Sequence, residues 1–208
     1  MNIESIENLV QLGALGICAI FSAHYYLSAK CHEWAMLFLA SLVYFLGDLY
    51  MQLYLIFFGE TPNYSQIPYF SWYASYIFLS LLILEFRGKD RIKIKNFRMC
   101  LIPAFTVLMA IFFMLQGDYI GNTICAVTMA VLIWQAVEGL ITAGAEGKDG
   151  ARLLYITILA LCLTEYTSWT VSSLWSVNSI ANPYFWTDSF LSLIFLFLPF
   201  ALRKAVDG

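Results

Sequence analysis

Runs of about 20 apolar residues recur along the whole chain, separated by short connections that hold most of its charge. That spacing leaves few folds open. A soluble core spreads its apolar residues at helical or strand intervals, whereas these lie in unbroken stretches that match the thickness of a bilayer. Composition agrees: 61% of the 208 residues are hydrophobic and 12% are charged, against roughly 45–50% and about 25% in an average soluble domain. Only helices or closed barrels satisfy every backbone group in lipid, and barrel strands alternate in polarity over about ten residues. No such alternation is present, so the chain reads as an all-α integral membrane protein, a single domain over residues 1–208.

Seven stretches can be drawn: Asn8 to Ser28, Trp34 to Phe58, Ile67 to Phe86, Cys100 to Leu115, Tyr119 to Ala143, Leu153 to Trp175 and Pro183 to Leu202. At about 1.5 Å per residue most of them cross a core of about 30 Å, the fourth only just. If all seven cross, the 11 basic residues fall on one side, at Lys30, from Arg87 to Arg98, at Lys148 and Arg152, and at Arg203 and Lys204. The opposite side carries Glu4, Glu7, Glu60 and Asp118. The positive-inside rule then predicts a seven-transmembrane-helix bundle with its N-terminus outside and its C-terminus cytoplasmic, in a bacterial cytoplasmic membrane. Met1 to Glu7 is acidic and the first stretch runs on to Lys30, so it is expected to be a retained helix and not a cleaved signal.

An ionisable side chain at membrane depth costs several kcal/mol unless it is paired, protonated or wet, which marks it as a functional candidate. Asp48, Glu165 and Asp188 lie well inside the second, sixth and seventh stretches, at heights that allow them to share one layer, and no lysine or arginine lies as deep. Helical spacing adds Gln52 to the face of Asp48, Trp169 to that of Glu165, and Ser75 to that of Trp72. The expected site is therefore an outward-facing pocket formed by Asp48, Gln52, Trp72, Ser75, Glu165, Trp169 and Asp188. Acids without internal cations suit an organic cation, a metal ion, a proton or a polyhydroxylated ligand, and aromatic faces add cation–π contact. The competing reading has each acid protonated and hydrogen-bonded to a neighbouring helix, as structural glue worth about 1 kcal/mol.

Glu138 lies nearer the cytoplasmic end, and His24 reads as a helix contact. Trp34, Tyr69, Tyr119, Trp175, Tyr184 and Trp186 sit near span ends, where aromatic belts form. The basic connection from Arg87 to Arg98 is expected to rest against anionic lipid heads, or to dock a cytosolic partner. Cys18, Cys31, Cys100, Cys125 and Cys162 show no paired spacing and read as reduced, packed thiols. Cys31 and His32 are too few for a metal site. Asn63 with Ser65 is an isolated sequon. Phosphate-loop, zinc-helix and nucleophile-elbow motifs are missing, and no cofactor, metal or nucleic acid is expected.

Tyr69 to Leu82 looks a little like the third helix of microbial rhodopsins, but Pro183 to Leu202 contains no lysine, so no retinal Schiff base can form. Leu46 to Pro62 (LGDLYMQLYLIFFGETP) and Tyr69 to Phe78 (YFSWYASYIF) resemble instead the multi-helix sensory membrane regions that precede kinase or cyclic-dinucleotide synthase domains in bacteria. That resemblance implies a membrane sensor. The chain ends at Gly208, so its output is expected to come from a separate partner. Three function classes follow: a ligand-binding or sensory module, a small proton-coupled transporter using the same acids, and a membrane-embedded lipid-modifying enzyme. Missing repeats and the lack of evident broken helices weigh against transport.

Overall fold

The computed structural model describes residues 3–59, 66–87, 97–175 and 181–207. Among these residues the fold is entirely helical: α1 (Ile3–Ala29), α2 (His32–Phe58), α3 (Gln66–Arg87), a 3₁₀ turn (Phe97–Cys100), α4 (Leu101–Met114), α5 (Tyr119–Glu146), α6 (Asp149–Leu174) and α7 (Pro183–Asp207). Several helices outrun their apolar stretches. Polar ends such as Ile3–Glu7, Asp149–Arg152 and Arg203–Asp207 stay helical because backbone bonding, once nucleated, propagates beyond the apolar segment.

Six of the helices are long and apolar enough to cross a membrane. The exception is α4, with 14 residues, whose length of about 21 Å falls short of a core of about 30 Å. The six long helices close a ring in the order α1, α2, α3, α5, α6, α7 and back to α1, and α4 packs on the flank of α5. Large apolar side chains cover the outside, among them Ile20, Phe57, Leu163 and Leu193. An outer surface this apolar belongs in lipid, where it exposes nothing to water. The chain is an all-helical integral membrane protein.

Short connections force the neighbours together. Only Gly147 and Lys148 separate α5 from α6. Gly147 takes a left-handed conformation at φ 71° and its N–H caps the Ala143 carbonyl, a position that favours glycine because a Cβ would be strained. Gly150 then lets α6 lie backbone to backbone on α7: a Cβ there would collide with the Lys204 carbonyl and come within 2.7 Å of its carbon.

Two expectations change here. Trp34 is no interfacial anchor: it is 3% exposed and stacks on Tyr25 at 4.5 Å, because it points from the first turn of α2 into α1. His24 is exposed and only edges against Tyr25. Most of the basic connection after Arg87, and the Asn63 sequon, lie outside the described residues.

Candidate functional site

At one end of the ring a cavity of about 470 Å³ opens between the helices. Its wall takes residues from the start of α1, the end of α2, the start of α3, the C-terminal end of α4, the start of α5, the end of α6 and the start of α7. All seven helices therefore present alternate ends to one space.

Of the residues expected from sequence, Asp48, Trp72, Glu165, Trp169 and Asp188 line this cavity. Gln52 and Ser75 are buried but are not on its wall. Tyr69 and Tyr184, expected as belt residues, line the cavity instead, whereas Tyr119, Trp175 and Trp186 are exposed near the ends of their helices.

Asp48, Glu165 and Asp188 are each held by a neutral donor from another helix. Trp72 Nε1 donates to Asp48 Oδ1 at 2.8 Å. Local packing explains this pair: Gly47 brings α2 so close to α3 that an added Cβ would lie 2.8 Å from the Ser71 Cβ, and Asp48 and Trp72 are the next residues along. Tyr44 OH donates to Glu165 Oε1 at 2.8 Å, and Tyr76 sets its hydroxyl beside the same carboxyl. Gln11 Nε2 donates to Asp188 Oδ1 at 3.2 Å, and the Glu7 carboxyl lies against Asp188.

These donors are all neutral, so none of them brings a positive charge to the acids. Asp48, Asp118, Glu165 and Asp188 line the cavity, and among the described residues no lysine, arginine or histidine does. Asp48 Oδ2 and Ser168 Oγ are buried with no hydrogen-bond partner among the described residues. Asp118 accepts from Gly121 N at 3.0 Å as the cap of α5, so its role at the rim is first structural. Among the described residues no group of three or more His, Cys, Asp or Glu is gathered closely enough to hold a metal ion.

Aromatic rings complete the wall. Trp72 lies 5.3 Å from Tyr69 and 6.0 Å from Tyr44, and Trp169 touches Tyr76, Phe113 and Tyr166 at 5.7–6.3 Å. Below them the ring is filled by Tyr76, Leu79, Leu132, Leu161 and Phe195, each at most 1% exposed, which closes the cavity at its inner end.

The sequence reading missed Tyr44, Gln11 and Glu7. Glu7 and Gln11 share one face of α1 at i,i+4, and that spacing was the available signal. Nothing local marked Tyr44. The chain matches no protein-family model, and no curated protein or solved structure is detectably similar to it.

Proposed function

We propose that this protein is a membrane-embedded ligand-binding module of sensory type, and that its ligand is a small organic cation taken up in the acidic cavity. The supporting observation is the charge balance of the wall: four carboxyl groups line it with no basic side chain among the described residues. A cation offsets that charge, and the faces of Trp72 and Trp169 add cation–π attraction. A cavity of about 470 Å³ falls within the range of small-molecule sites. A polyhydroxylated ligand can also bond to carboxylates, but it leaves their charge in place.

We further propose seven crossings, with the cavity facing outward, the C-terminus cytoplasmic, and a bacterial cytoplasmic membrane as the site of residence. Two facts support this. The 3₁₀ turn and α4 are continuous, and together they reach about 29 Å. The helix ends at the cavity alternate without a break only if α4 runs antiparallel to α5. All basic residues then lie inside, and a cytosolic output partner would dock on the Arg87 to Arg98 connection.

The packed floor beneath the cavity favours binding over carriage. Equilibrium titration of the purified protein with small quaternary ammonium ions and alkyl diamines tests the reading. Asp48→Asn, Glu165→Gln and Asp188→Asn should each abolish or strongly weaken binding, and unchanged binding in all three refutes it. Cation flux in liposomes, driven or altered by a pH gradient, would assign the same acids to a transporter instead.

A further inference from the structure

A second cavity, of about 380 Å³, lies at the opposite end of the bundle between the end of α3, the start of α4 and the second half of α5. Its body is apolar, with Ile102, Pro103, Val131 and Trp134 on the wall, and its polar end is formed by Arg87, Gln135 and Glu138. Arg87 Nη1 donates to Glu138 Oε2 at 2.8 Å, with the arginine side chain only 7% exposed. The other arm of the guanidinium is unsatisfied among the described residues: Arg87 Nη2 is buried with no partner there, and so is Gln135 Oε1. Buried arginine donors are rarely left unmade, because the desolvation cost is not recovered.

We infer that this groove is a binding site for an anionic phospholipid with a hydroxylated headgroup, of the phosphatidylglycerol type. The phosphate accepts from Arg87 Nη2, a headgroup hydroxyl donates to Gln135 Oε1, and one acyl chain lies along Ile102, Val131 and Trp134. Glu138 occupies one side of the guanidinium and leaves the other as a directed donor, which suits a single phosphate oxygen. A phosphate at the end of an apolar groove lies at the depth of the lipid headgroups, where basic pockets between helices hold anionic lipids. The site uses none of the residues of the acidic cavity, so it stands whether or not that cavity binds a cation.

Trp134 supplies the probe. The full chain in mixed micelles is titrated with phosphatidylglycerol or phosphatidylcholine carrying brominated acyl chains, and Trp134 quenching is obtained by difference from Trp134→Phe. Brominated phosphatidylglycerol should quench at roughly tenfold lower mole fraction, about the effect of one hydrogen bond to a charged group. The double variant Arg87→Gln with Glu138→Gln should remove the preference without leaving either charge unpaired. Gln135→Leu, which keeps the ion pair, should reduce it and serves if the double variant fails to fold. Lys93→Gln with Lys95→Gln should leave it in place. Equal quenching by the two lipids overturns the site. A preference that survives both the double variant and Gln135→Leu also overturns it, assigning the selectivity to the loop, and displacement by glycerol phosphate alone overturns the lipid assignment.

Discussion

Tyr44 on α2 donates a hydrogen bond to Glu165 on α6 at 2.8 Å, and the two helices stand across the ring from each other. Neither helix is the other's neighbour in the ring, so this bond crosses the interior. It fixes the width of the cavity at its floor. We predict that Tyr44→Phe destabilises the protein by roughly 1.5–3 kcal/mol, because a buried carboxyl loses a donor. Denaturation of the detergent-purified protein measures it, and wild-type stability would show that the bond is not made.

The Asp48–Trp72 pair depends on the close approach of α2 and α3 at Gly47. An alanine there places its Cβ 2.8 Å from the Ser71 Cβ and 3.3 Å from the Pro68 carbonyl oxygen. Gly47→Ala should cost about 1–3 kcal/mol by overpacking and lengthen the bond to Asp48. Trp72 emission, isolated by difference from Trp72→Phe, should then change. Unaltered emission and stability would contradict the close contact.

Removing one partner of a buried ion pair strands the other. Glu138→Leu should therefore cost roughly 3 kcal/mol or more, while Arg87→Gln with Glu138→Gln should cost less than that single change. Unfolding midpoints of the two proteins decide the matter, and a double variant weaker than Glu138→Leu would rule out coupling through charge.

Gly150 tests the packing of α6 on α7 at the opposite end. Its Cβ position is filled by backbone of Lys204 and Ala205, which cannot rotate away as a side chain can. Gly150→Ala should destabilise by about 1–3 kcal/mol and Gly150→Val by more. Gly144, whose nearest neighbour is the Arg152 side chain at 4.0 Å, should accept alanine with little change.

Helix positions were legible from the sequence because lipid imposes length and apolarity on each crossing segment. The ring order was not, since nothing in a uniformly apolar helix says which face meets which neighbour. Asp48, Glu165 and Asp188 stood out as charges in apolar runs. Their partners did not: Gln11 is 177 residues from Asp188 and Tyr44 is 121 from Glu165, and a tyrosine or glutamine in a helix carries no mark of what it faces. Tyr69 and Tyr184 illustrate a second limit. A ring near a helix end is placed equally well for a belt or for a pocket mouth, and the rotation of the helix about its axis decides between them. The α4 segment shows a third, because 14 helical residues are apolar enough for lipid and too short by themselves to span it.

The most direct measurement is thermal unfolding of the detergent-purified protein, followed by tryptophan emission, against a series of organic cations with sugars as the uncharged comparison. A ligand at 100 times its dissociation constant stabilises by about 2.7 kcal/mol, which is easily seen. A saturable shift is predicted for a cation and not for sugars, lost in Glu165→Gln or Asp188→Asn. A shift that persists in both variants, or no shift from any cation, would contradict a cation-binding cavity and leave the acids as interhelical contacts.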